Sequence, residues 1–426
     1  TKDYVIADEP LGFGTYVNVE SFVASTGKGL NKEFFNFNYD ITRFYINSQL
    51  QTCVVLKCRN TVSEEVNGLM HIQYCKFWGD VVEFDITLPS SVNKEAISLE
   101  IPPLKYNKKM VFSYITDDSY AIYQYIFSLI NKRYIAKRFK LPDDRILTWH
   151  LGMQGDPQIE QYVSDAYYPE KPAQCTDGAG IKKRYATTVA TWPDKLKNQY
   201  IGQDFGYFLP WMSEKEFKLF FDFGFMVAYH DLIGYDTATT DTQAKFDKCV
   251  EDSVALFKEY IGITPKLMVE PNGDHKYITF SRVNDNIQVI TAQGGDPSIK
   301  KVYPFSPDFT LSKNNVTIQR LFAYGDDMVY DNDNPQYAQD LLDILSGFNA
   351  TENKESIYWL IGSTHRGSHW ESVFIKNLHR LYGDIGLDNL WFPTLDEFFE
   401  YWYMRENTLS VKTVTETGVH YRMYVP

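Results

Sequence analysis

Hydrophobic and polar positions alternate with period two through the first hundred residues. "TYVNVESFVA", "LQTCVVLKCR", "LMHIQYCKF" and "DVVEFDITL" are rich in β-branched and aromatic residues, and "NG" and "WGD" supply turns between them. Helical periodicity is scarce there, so residues 1–105 are expected to form an all-β domain, a small β-sandwich. "EIPPLKYNKK", with two prolines and a run of charge, marks the expected boundary.

The pattern changes from residue 106 onward, where apolar strands alternate with amphipathic helices. "MVFSYI" is a continuous apolar run, as in a strand buried on both faces, and "YAIYQYIFSLINKRYI" follows with helical spacing. "SEKEFKLFFDFG" opens with a capping box from Ser213 to Glu216 and precedes the strand "FMVAYH". A helix from about Gln243 to Ile261 carries Phe246, Val250, Val254, Phe257 and Ile261 on one stripe, and Gly262 ends it. The strands "KLMVEP", "IQVITA", "TIQRLFA" and "IYWLIGSTH" come next, with helices at about 335–346 and 368–382 between or after them. A helix opens at "PTLDEFFEYWYMRE", with a second capping box from Thr394 to Glu397, and the last residues read as a hairpin. This alternation predicts an α/β fold of parallel strands and crossover helices over 106–426. Residues 140–210 are polar, turn-rich and weakly periodic, and are expected to be a long insertion.

Composition narrows the function. The chain has 426 residues, a net charge of −13, and no run of lysine and arginine longer than three, which argues against a nucleic-acid footprint. No apolar segment reaches transmembrane length. The five cysteines, Cys53, Cys58, Cys75, Cys175 and Cys249, fit no zinc-knuckle spacing and read as buried small side chains, with room for one disulfide in the first domain. The 31 tyrosines and 29 phenylalanines suit strand faces and sugar-stacking surfaces equally.

Parallel α/β folds carry their chemistry at the carboxyl ends of the strands. "MVFSYI" runs into Thr116, Asp117 and Asp118; "FMVAY" into His230 and Asp231; "KLMVE" into Asn272, Asp274 and His275; and "IYWLIG" into Thr364, His365 and Arg366. A pair of aspartates after a strand is often only a turn or helix cap. Carboxylates and imidazoles in this order on successive strands are instead what a divalent zinc, iron or cobalt site needs.

These segments resemble the polysaccharide deacetylases, family 4 of the carbohydrate esterases, over roughly 108–385 with the insertion excluded. "YITDDSY" is similar to that family's first motif, which would make Asp117 the catalytic base and Asp118 a metal ligand. "WMSEKEFKLFFDFGFMVAYHDL" resembles the approach to the second motif, giving His230 as a ligand. "VEDSVALFKEYIGITPKLMVEPNGDHKY" resembles the next helix and the third-motif loop, and "YWLIGSTH" the last motif, with His365 as general acid. The family's second histidine is replaced by Gly234, so Asp236 becomes the first choice of third ligand, ahead of Asp231 and His275. Glu270 stands where an arginine usually fixes the base, and Arg320 on "TIQRLF" is the candidate substitute.

The resemblance implies a deacetylase-like (β/α) barrel of about seven strands behind the β domain. It implies a divalent metal, zinc with cobalt or nickel as substitutes, and hydrolysis of N- or O-linked acetyl groups from a glycan. It also implies a secreted or cell-envelope location, the signal segment being absent from this chain. The alternatives are a catalytically impaired carbohydrate-binding protein on the same scaffold and a glycoside hydrolase using paired carboxylates.

Overall fold

The structure is a computed structural model. It describes residues 15–17, 22–25, 44–46, 51–60, 66–75, 81–87, 90, 93–118, 125–132, 135–140, 146–151, 153–154, 161–162, 171–176, 182–197, 202–204, 207–209, 212, 214–232, 242–271, 273–274, 276–293, 316–322, 335–350, 359–364 and 369–424. The chain divides into two compact units, one of residues 1–109, 176–183 and 397–426, the other of 110–175 and 184–396.

The first unit is antiparallel β. A four-stranded sheet runs in the order Phe22–Ser25, Val66–Cys75, Gln51–Asn60, Ile97–Glu100, with a bulge between Cys58 and Arg59. The expected terminal hairpin is present as Leu409–Val414 and Gly418–Tyr424, and its second strand pairs with Val81–Thr87. The segment "IPPLKYNKK" is not a loose tether. Lys105 is buried and its Nζ lies 2.7 Å from Glu397, Tyr401 Oη donates to the Pro102 carbonyl at 2.6 Å, and Arg405 Nε donates to that of Ile101 at 3.2 Å. Glu397, expected to close a capping box, therefore pairs with Lys105.

The second unit is a parallel barrel. We label its strands β1 (Met110–Thr116), β2 (Thr188–Thr191), β3 (Met226–Tyr229), β4 (Leu267–Val269), β5 (Val289–Gln293), β6 (Val316–Phe322), β7 (Trp359–Thr364) and β8 (Leu390–Trp391). They run β2-β3-β4-β5-β6-β7-β1-β8, every pair parallel, and β2 pairs with β1 as well. That last pairing closes a ring of seven strands. Strand β1 shares one edge between two neighbours. At its start β8 pairs with Met110 and Val111; at its end β2 pairs with Ile115 and Thr116.

Every residue of β1 is buried, as its uninterrupted apolar run requires. Phe112 meets Phe374 of the helix His369–Tyr382 at 5.1 Å, and Tyr114 Oη donates to the Glu371 carboxylate of the same helix. Alternate residues of a strand point to opposite faces. With Phe112 and Tyr114 turned to the helix layer, Val111, Ser113, Ile115 and then Asp117 face the interior. On β3 the Tyr229 ring packs edge-on against Phe257 of the helix Gln243–Ile261, so the next residue, His230, turns inward.

That helix has the limits its periodicity predicts. Thr242 caps its start by accepting from the Lys245 N–H, and Gly262 ends it at φ 74°. Its buried face is Phe246, Val250, Ser253, Leu256, Phe257 and Ile261, with Val254 only half covered. Within the pattern "YAIYQYIFSLINKRYI" after β1, the described helix is Tyr125–Asn131. Ile135–Lys140 pairs antiparallel with Ile146–Leu151, and the β-branched and aromatic residues in both segments suit such a hairpin. The stretch expected to be an insertion contains β2. Four residues, "TVAT", are too few to show periodicity, and only their pairing with β1 and β3 reveals the strand.

Candidate metal centre and active site

Three side chains meet where β1, β2 and β3 end. His230 Nε2 lies 3.1 Å from Asp118 Oδ1 and 3.8 Å from Asp117 Oδ2. Asp117 follows β1 with the inward phase of that strand and is fully buried. Its neighbour Asp118 turns the chain at φ 71°, a left-handed conformation that aspartate tolerates better than most residues, at a cost of about 1 kcal/mol. The turn reverses the usual alternation and lets both carboxylates approach one imidazole. His230 continues the β3 ladder by donating its N–H to the Thr191 carbonyl at 3.0 Å, which fixes its height against β2.

Trp192, the first residue past β2, completes the group. Its Nε1 donates to Asp118 Oδ1 at 2.9 Å, and its ring lies 5.0 Å from that of His230 at an interplanar angle of 34°. No local pattern in the sequence singles out Trp192; recognising "TVAT" as a barrel strand would have placed it on the rim.

Asp231 is engaged differently. Its Oδ1 accepts from Tyr277 Oη and from the Leu232 N–H at 2.7 Å. Burial raises its pKa from the ordinary carboxylate value, outweighing the lowering by those two donors and by His230. Glu270, next after β4, is fully buried and donates its backbone N–H to the Thr291 carbonyl at 3.0 Å. Arg320 lies on β6 opposite Gln293 of β5. Gly234, Asp236, His275 and His365 lie outside the described residues. Among the described residues no group of three or more His, Cys, Asp or Glu side chains could by itself hold a metal ion.

The donors present suit a divalent cation. A carboxylate oxygen and an imidazole nitrogen are the mixed ligands such an ion takes. Donors at about 2.0–2.2 Å around a tetrahedral ion stand roughly 3.4 Å apart, close to the 3.1 Å between Asp118 and His230.

A sequence model of the family described as "Putative polysaccharide deacetylase" matches residues 83–425. The chain belongs to the polysaccharide deacetylase family. The match runs from within the strand Val81–Thr87 to the terminal hairpin and so takes in the barrel and part of the first unit. No curated protein matches the chain. Solved structures similar to this deacetylase-family chain include the peptidoglycan deacetylase PdaC from Bacillus subtilis, at 12% identity over 71% of this chain and 96% of that one, TM-score 0.34. Another is the Bc1960 peptidoglycan N-acetylglucosamine deacetylase, at 9% identity over 69% of this chain and 89% of that one, TM-score 0.32.

Proposed function

We propose that the protein is a metal-dependent hydrolase that removes N- or O-linked acetyl groups from a glycan of the bacterial envelope or extracellular space. The convergence of Asp117, Asp118 and His230 in a chain of this family carries the reading. Asp118 and His230, with Asp236 as third ligand, would hold the cation, zinc in the first instance and cobalt or nickel in its place. When bound, the ion supplies Lewis acidity that polarises the acetyl carbonyl and acidifies the attacking water.

The remaining work belongs to the chain. Asp117 accepts the proton of the water as its oxygen bonds to the carbonyl carbon. Arg320 orients the Asp117 carboxylate. His365 gives a proton to the leaving amine or alkoxide as the C–N or C–O bond breaks, and acetate departs. Burial of Asp117 removes competing water from its carboxylate, so its proton affinity is spent on the one water that reacts.

The test is metal content by elemental analysis, then acetate release from N-acetylated and O-acetylated oligosaccharides, for wild type and Asp118→Ala. Bound zinc and acetate release that are both lost in Asp118→Ala are the expected result. A protein that holds no metal and releases no acetate from either substrate refutes it. Release of new reducing ends would identify a glycoside hydrolase instead.

A further inference from the structure

We infer that Trp192 is a positioning residue for the metal centre, its indole holding Asp118 and His230 in the geometry that receives the cation. This rests on the reading of those two residues as metal ligands. The two follow different strands, β1 and β3, which do not pair with each other but both pair with β2. Trp192 follows β2, the strand that pairs with both, and touches each in a different way. Its Nε1–H donates to Asp118 Oδ1 at 2.9 Å, while its ring face lies 5.0 Å from the His230 ring.

A neutral N–H donor to a carboxylate oxygen fixes the rotation of that carboxylate without adding charge that would repel a cation. The neighbouring ring, tilted by 34° against the imidazole, limits its torsion and so the direction of Nε2. Groups that orient metal ligands in this way typically change affinity or activity by about 10–100-fold when removed. Indole is well suited to both tasks at once, because it carries one donor and no acceptor. Phenylalanine would keep the ring contact and lose the donor.

The experiment is zinc binding by competition with a chelating dye, together with the visible absorption of the cobalt-substituted protein, on wild type, Trp192→Phe and Asp118→Ala. Trp192→Phe is expected to bind zinc about 10–100-fold more weakly than wild type and to shift the cobalt bands, which a merely structural residue would leave in place. Wild-type affinity and an unchanged cobalt spectrum in Trp192→Phe, with binding abolished in Asp118→Ala, overturn the inference and leave the metal site standing. Failure of wild type to bind zinc removes both. In case Trp192→Phe does not fold, the indole N–H resonances of the ¹⁵N-labelled wild type serve instead. One must move on addition of zinc and stay unmoved in Asp118→Ala; no responding indole would overturn the inference.

Discussion

Replacing Tyr114 by phenylalanine tests how the strand that carries the two aspartates is held. Tyr114 is 1% exposed and its Oη donates to Glu371, whose carboxylate is 0% exposed. The substitution keeps the ring, which packs beside the site where a Cβ on Gly362 would lie 3.1 Å from Tyr114 Cδ2, so it opens no cavity. What is lost is one hydrogen bond to a buried charged group, about 1.5–3 kcal/mol. Hydrogen exchange of the amides of Met110–Thr116 reads the opening free energy of this strand directly and does not require both units to unfold together. A loss of that size accelerates their exchange roughly 10- to 150-fold, at 1.4 kcal/mol per decade. A double variant, Tyr114→Phe with Glu371→Met, removes both members of the pair and is expected to recover part of the loss, because the buried carboxylate whose hydrogen bond was cut is then gone too. Exchange of Tyr114→Phe within threefold of wild type, or a double variant that is simply additive, would refute the reasoning.

Three further outcomes are expected. Asp117→Asn should lower kcat for acetate release by about 10²–10⁴ while zinc content stays at the wild-type level, since Asp118 rather than Asp117 makes the 3.1 Å approach to His230; parallel elemental analysis and turnover assays separate the two. Burial first, then the carboxylates of Asp252 and Asp231, raises the Cys249 thiol above its ordinary pKa of 9.0. Because only the thiolate reacts, iodoacetamide labelling of Cys249, followed by peptide mass spectrometry, should still be climbing about one pH unit above 9.0, where an ordinary thiol has largely levelled off. Gly262→Ala should cost about 1–2 kcal/mol from backbone strain alone, because φ is 74° and an added Cβ meets no atom within 4 Å; hydrogen exchange in the last turn of Gln243–Ile261 would report it.

The parts of the fold that were legible in sequence are those where one physical signal repeats along the chain. The helix Gln243–Ile261 has a cap, a stripe and a glycine stop, and β1 is an apolar run between polar ends, so each announces itself locally. Strand β2 announces nothing. It is four residues long, and its burial comes from lying between β1 and β3, which are contributed by distant segments of chain. The same limit divides the site. Asp117, Asp118 and His230 stand at strand ends, where a parallel fold puts its chemistry, and could be named without coordinates. Trp192 stands at the end of the unannounced strand, so its place beside Asp118 and His230 was hidden with it. The φ of 71° at Asp118 is likewise invisible in "TDD", yet it lets adjacent carboxylates face one imidazole instead of opposite sides of the strand. A sequence can therefore nominate candidate ligands wherever periodicity marks the strands that bear them, but how such side chains are aimed depends on contacts across strands, and the proposed metal centre is tested by substitutions such as Trp192→Phe that would change the aim and spare the candidate ligands.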